Sequence, residues 1–214
     1  MLSIITHANT NRLSFLERCK RSVAEGLKPG MIHKVIPGFT SWTQRYTDSQ
    51  CDEFVAFVDD DDTIHPDALD KCMKAIIESG AGIAFTNEAT VKPDLTVIRV
   101  HDERKHYESI RVLPRALHHL AVIRCSAIDP RCVDLYNEIG YGIDWFMRAS
   151  SALVHGAVHV PMTGYFWTVH ENSQTTKDNK MFCQNMKLMT KRIEELWGKR
   201  VGPIPIWKDH DKGT

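Results

Sequence analysis

The run Phe54-Val55-Ala56-Phe57-Val58 passes without a break into Asp59-Asp60-Asp61-Asp62, followed by Thr63-Ile64-His65-Pro66-Asp67-Ala68-Leu69. Five apolar residues rich in β-branched and aromatic types are too few for a helix and read as a buried strand. Pro66 suits the first turn of a helix starting directly after the acidic run. Four adjacent carboxylates repel one another unless something positive sits among them. A hard divalent ion such as Mg2+ takes oxygen ligands and shares them with phosphates. Ligands of open α/β sheets bind beyond the carboxyl ends of the strands, where these aspartates fall. A solvated turn capping the next helix would use the same residues, but the buried strand before them favours a metal–phosphate site.

The surrounding pattern alternates strands and helices. Leu2 to Thr6 reads as a buried strand. Asn9-Thr10-Asn11 offers helix caps, and Leu13, Leu16, Val23 and Leu27 recur at helical spacing up to Pro29-Gly30. His33 to Ile36 is a second strand, ended by Pro37-Gly38, and Thr40 to Gln50 reads as a short polar helix. After the Phe54 strand, Leu69, Cys72, Met73, Ile76 and Ile77 share one helix face as far as Gly80, and Ile83 to Thr86 is another strand. This β-α-β-α-β-α-β order predicts an α/β fold, a mainly parallel sheet flanked by helices in a single domain. Further on, strands are expected at Val97–Val100, Ala121–Arg124 and Val158–Pro161, with a helical segment from Val133 and a last helix over Asp178–Trp197. Residues 1–198 make the domain, with halves over about 1–90 and 91–198. Residues 199–214 read as an extended or flexible tail.

Composition narrows the classes. At 214 residues the chain can bury a full core, and net charge is zero, so no global field recruits nucleic acid or an anionic membrane. No apolar run approaches the ~20 residues that span a bilayer. The N-terminus lacks the flank and length of a signal peptide, and the six scattered cysteines form no Cys-x-x-Cys pair. The expectation is a cytoplasmic protein with reduced thiols, Cys19 and Cys72 lying on apolar helix stripes. A mildly basic stretch with Arg99, Arg104, Lys105, Arg111, Arg115, Arg124 and Arg131 reads first as solvated surface and second as a dock for an anionic ligand.

Taken in order, several segments resemble glycosyltransferase family 2, inverting sugar transferases with a GT-A fold. Ser3-Ile4-Ile5-Thr6 with Asn11-Arg12, Leu16 and Ser22-Val23 is similar to the family's first strand and helix. Val58-Asp59-Asp60-Asp61-Asp62 with Pro66-Asp67-Ala68-Leu69 is similar to its metal-binding segment. Gly142-Ile143-Asp144-Trp145 with Arg148 stands where the family places its catalytic acid, and Tyr165, His170, Asn172 and Ser173 resemble its closing region.

The resemblance implies a nucleotide-sugar donor, a UDP-sugar being favoured, and a divalent cofactor, Mn2+ or Mg2+, held by Asp61. His170 would complete the metal shell or contact the diphosphate, or else is a structural histidine. Asp59 and Asp60 would face the ribose and the nucleotide, and Asp62 would support the metal shell or cap a helix. Asp144 would be the base that takes the acceptor hydroxyl's proton, its bland alternatives being an N-cap or an i,i+4 partner of Arg148. Thr6, His7, Asn9 and Arg12 follow the first strand, where the nucleotide would lie. Arg45 is either a phosphate or nucleotide contact or a surface arginine.

Two departures stand out: Pro37-Gly38-Phe39 replaces the family's acidic pair after the second strand, and Ile143 replaces the usual Glu before the catalytic acid. Polysaccharide precursors, small molecules and modified nucleobases of viral DNA are all acceptable acceptors, and a homodimer is compatible with the chain. Competing readings are a nucleotidyltransferase of similar fold, disfavoured because residues 6–12 contain no glycine, and a non-catalytic sugar-nucleotide-binding module.

Overall fold

A computed structural model describes residues 1–9, 11–38, 41, 43–50, 52–102, 117, 120–140, 142–171, 174–198 and 204–209, with backbone alone for 174–184 and 186. The strands are β1 (Leu2–Ala8), β2 (Met31–Pro37), β3 (Phe54–Phe57), β4 (Thr63–Ile64), β5 (Ile83–Val91), β6 (Val97–His101), β7 (Ala121–Arg124) and β8 (Ala157–Thr168). The helices are α1 (Leu13–Gly26), α2 (Thr43–Ser49), α3 (Ala68–Ser79), α4 (Arg131–Ile139), α5 (Ile143–His155) and α6 (Gln174–Trp197). They form one eight-stranded sheet in the order β2-β1-β3-β7-β5-β8-β4, with β6 beside β5.

β1 is parallel to β2 and β3, and β5 is parallel to β8. The sheet is nonetheless mixed, because β7 runs antiparallel between β3 and β5. β2, β1, β3, β5 and β8 therefore share one direction, and their C-terminal ends open on one side. The α/β class expected from the sequence is the one observed.

The unbroken apolar strand reflects burial on both faces. Phe54, Ala56 and Val58 belong to a core with Cys19 and Val23 of α1 and Leu69, Cys72 and Ile76 of α3. Val55 and Phe57 belong to a second core, with Cys132 and Leu135 of α4, Phe146 of α5 and Ile193 of α6. Successive side chains alternate across the sheet, so no polar face is needed.

Several expectations change in detail. β4 intervenes between the acidic run and α3, so the helix begins at Ala68 rather than directly after the aspartates. Leu13 and Ile77, read as core, are exposed, and Cys19, Gly26 and Ala75 fill those faces instead. Gly82, meanwhile, admits no side chain: a Cβ would stand 2.7 Å from the Ser151 carbonyl oxygen. β8 carries the expected Val158–Pro161 strand on to Thr168, twelve residues in all. Within the stretch read as a tail, Ile206 bridges to His159 of β8, Ile204 and Trp207 are buried, and the Trp207 indole donates to Glu78 of α3 at 2.6 Å. Residues 204–209 are thus anchored on the domain. Cys19, Cys72 and Cys132 are free thiols buried in the cores, and Cys125 is buried with them. No described helix is long and apolar enough to cross a membrane.

Candidate active site

The alternation that builds β3 continues past its end and sends the four aspartates in different directions. Asp59 follows the Phe57 face and meets Arg45 of α2, whose guanidinium donates to its Oδ1. Arg45 is not the surface residue considered above: it is almost fully buried and lies over the Phe57 ring, 5.5 Å from the centroid. Burial disfavours its charge, yet Asp59 and Asp144 together hold its pKa above the ordinary value. Asp60 turns to the α1 side, where its Oδ2 accepts from the Asn9 backbone N–H at 2.6 Å and its Oδ1 lies 3.4 Å from Arg12 Nη1. Burial raises the Asp60 pKa, partly offset by the Asn9 bond.

Asp61 Oδ2 is shared by Arg12 Nη1 and by His170 Nε2, the latter 2.9 Å away. His170 is stacked on Phe15 of α1, ring centroids 4.7 Å apart. Asp62 belongs to the frame. Its Oδ2 accepts from the Tyr165 hydroxyl and its Oδ1 from the Thr168 N–H, both at 2.7 Å, and its pKa is pushed well up by burial. Tyr165, fully buried, accepts in turn from the Asp59 N–H at 3.2 Å. Gly164 permits this: a Cβ there would stand 2.5 Å from Thr86 Oγ1, so only glycine lets β8 pass β5 closely enough to aim Tyr165 at the acidic turn.

Asp144 comes from the opposite half of the chain, in the first turn of α5. Gly142 caps that helix at φ +85°, and a Cβ on it would lie 2.4 Å from Met189 Cε. Glycine thus serves both the left-handed backbone and the approach of α6. Asp144 does pair with Arg148, at 2.6 Å, as its i,i+4 spacing allows. A small pocket lined by Phe57, Ala121, Ile123, Asp144, Met147 and Arg148 opens beside it. Phe57 is the common wall: Arg45 covers it on the aspartate side, and His7 stacks on it at 6.2 Å.

His7 is buried, bonded through Nε2 to Asp48 Oδ2 at 2.8 Å, and its pKa is lowered by burial despite that bond. Asn9 shapes the turn before α1, its Oδ1 accepting from the Asn11 N–H, rather than capping the helix. The Thr6 side chain is turned away from the group, fully buried between His33 and Cys19. Asp59, Asp60, Asp61, Arg12, Arg45 and His170 are thus brought together at the strand ends, and Asp144 is linked to them through Arg45 and Phe57. Asn172, Ser173 and much of the basic stretch, residues 103–116, lie outside the described residues.

Nothing in the sequence pattern announces Arg18, which ties the site together. Its Nη2 donates to the Asp61 carbonyl and to Thr168 Oγ1, each at 2.9 Å, its Nη1 to the Pro93 carbonyl, and it stacks on Phe15. Its position on α1, three residues after Phe15, looks like any exposed helical arginine. Asp48 and Phe15 were equally invisible, because both act through residues distant in sequence.

Asp61 Oδ2 and His170 Nε2 fit a hard divalent ion. Their 2.9 Å separation is that of a hydrogen bond between them, and one ion could take both in its place. No group of three or more His, Cys, Asp or Glu side chains is arranged for a metal among the described residues. Two protein ligands nevertheless suffice for Mg2+-type sites, which are completed by water and phosphate oxygens.

S. aureus TarS is similar in fold. Its 1–349 fragment in complex with UDP-GlcNAc aligns with TM-score 0.54 at 14% identity, covering 82% of this chain and 60% of that one. The longer TarS chain aligns with TM-score 0.59 at 15% identity, covering 94% of this chain and 40% of its own length. The present chain therefore spans well under two thirds of these proteins. No family model matches the chain, and no curated protein sequence does. At such identities the likeness is one of fold.

Proposed function

We propose that this protein is a metal-dependent inverting glycosyltransferase that moves a sugar from a nucleotide-sugar donor, a UDP-sugar in the favoured case, to an acceptor hydroxyl. The observation carrying this reading is the assembly of Asp59, Asp60, Asp61 and His170 at the strand ends, with Asp144 reaching the far side of Phe57 from the other half of the chain. TarS, which shares the fold, is described in complexes with UDP-GlcNAc and with UDP.

Asp61 and His170 would hold Mn2+ or Mg2+, which when bound supplies Lewis-acid stabilisation of the departing diphosphate. Asp59, fixed by Arg45, and Asp60, fixed by the Asn9 N–H, would orient the nucleoside end of the donor. Asp144, aimed by its hydrogen bond from Arg148, would accept the acceptor's proton as its oxygen attacks the anomeric carbon. The new C–O bond forms opposite the one that breaks, and the electron pair of that bond leaves on the diphosphate, so configuration inverts. General-base assistance of this kind is worth about 10²–10⁴ in rate.

Calorimetric titration with a panel of nucleotide sugars, with Mn2+ and then with EDTA, tests the reading. Binding of one donor that EDTA abolishes is the expected result. A folded protein that binds no donor under either condition points instead to a non-catalytic module or to another phosphate chemistry.

A further inference from the structure

The four carboxylates after β3 are already satisfied by protein groups. Arg45 takes Asp59, and Tyr165 with the Thr168 N–H takes Asp62. Asp60 and Asp61 share one cationic nitrogen, Arg12 Nη1, which lies against Asp61 Oδ2, the oxygen that also faces His170 Nε2. Resting on the metal site proposed above, we infer that Arg12 is a built-in stand-in for the divalent ion, and that the two compete for Asp61 Oδ2.

Arg12 is placed to yield. It is the N-cap residue of α1, with φ −127° and ψ 41°, and Asn11 and Leu13 beside it are exposed. Its side chain keeps 18% of its surface in solvent, against 4% for Arg148 and 6% for Arg45, so it can swing outward without opening a core. The charges then set the order of events. A divalent ion arriving alone would sit within a few ångströms of a fixed guanidinium, and the two cations repel. A diphosphate brings negative charge for both: the ion takes Asp61, and the guanidinium, released from it, pairs with phosphate oxygens as arginine does readily. Free metal is therefore bound weakly, and nucleotide and metal bind tightly together. The coupling resides in one arginine and is reciprocal: whatever the nucleotide does to metal affinity, the metal does to nucleotide affinity.

The test titrates Mn2+ into wild type, Arg12→Met and Arg12→Lys, with and without UDP, and reads free Mn2+ by its electron paramagnetic resonance signal. Without UDP, Arg12→Met is expected to bind Mn2+ about tenfold more tightly than wild type, because the competitor is gone. Adding UDP should raise Mn2+ affinity strongly in wild type and Arg12→Lys, and much less in Arg12→Met. Equal Mn2+ affinity of wild type and Arg12→Met without UDP, alongside UDP-enhanced binding in wild type, overturns the stand-in role and leaves the metal site intact. Absence of Mn2+ binding in every protein, even with UDP, overturns both the role and the metal site. If Arg12→Met fails to fold, Arg12→Gln, which keeps a donor for Asp60, gives the same comparison.

Discussion

The acidic turn after β3 and the start of α5 both present aspartates around Phe57, yet they are built differently. Each carboxylate of the turn is held by residues far away in the chain: Asp59 by Arg45, Asp61 by Arg12 and His170, Asp62 by Tyr165 and Thr168. Asp144 is held from one turn along its own helix, by Arg148. The first region is a network that exists only when β1, β3, α1 and β8 are assembled, so substitutions there should disturb folding as well as chemistry. The second is local and should separate the two. One residue type, placed by the alternation of a strand or the pitch of a helix, thus becomes ligand holder, structural acid or base.

The largest effect expected from breaking this contrast is kinetic. Asp144→Asn retains the shape that Arg148 contacts but not the basicity, so transfer should fall about 10²–10⁴-fold while donor affinity stays within a factor of two or three. Single-turnover kinetics beside donor titration checks this. Equal losses of binding and transfer would place Asp144 in the donor network instead.

Asp62 should behave in the opposite way. Asp62→Ala strands the Tyr165 hydroxyl and the Thr168 N–H in a buried site and should cost about 2–4 kcal/mol in urea unfolding. Asp62→Asn, nearly isosteric and neutral, should cost about 1 kcal/mol or less. If both cost the same, the negative charge and not the hydrogen-bonding shape is what this site needs.

Gly142→Ala probes how α5 is set before α6. The positive φ and the Met189 contact should together cost about 1–2 kcal/mol. Met189→Ala in the same chain should relieve only the contact. Thermal midpoints of the single and double variants separate the two.

The smallest effect is far from the cleft. The bonds of Asp129 from Arg131, with help from the Trp197 indole, lower its pKa from 3.8 to about 2. Because the folded value is depressed, this stabilisation is complete above the ordinary value near 4 and fades as pH falls towards 2. Asp129→Asn should flatten the acid limb of a stability–pH curve and leave stability above pH 5 reduced by a constant amount.

Much of this was readable from the sequence where the information is local. The Phe54–Val58 strand, the acidic turn, Asp144 with Arg148 and the Cys19 and Cys72 helix faces follow from period and spacing. What was hidden depends on crossings between distant segments. β4 is two residues long and exists only because β8 pairs with it, and the antiparallel β7 cannot be inferred from Ala121–Arg124 alone. Arg45 reads either as a phosphate or nucleotide contact or as a surface arginine, because nothing in a polar helix announces that Phe57 and Asp59 will close over it. Arg18 went unread for the same reason.

Donor titration of Asp61→Asn beside wild type, in Mn2+, tests the central claim most directly. That substitution keeps the side chain's shape but removes the negative charge that Arg12 Nη1 and His170 Nε2 share at Oδ2. Metal-dependent donor binding should disappear from the variant, which remains folded at the assay temperature. A variant that binds the donor as tightly as wild type, and still loses it to EDTA, would contradict the placement of the metal on Asp61.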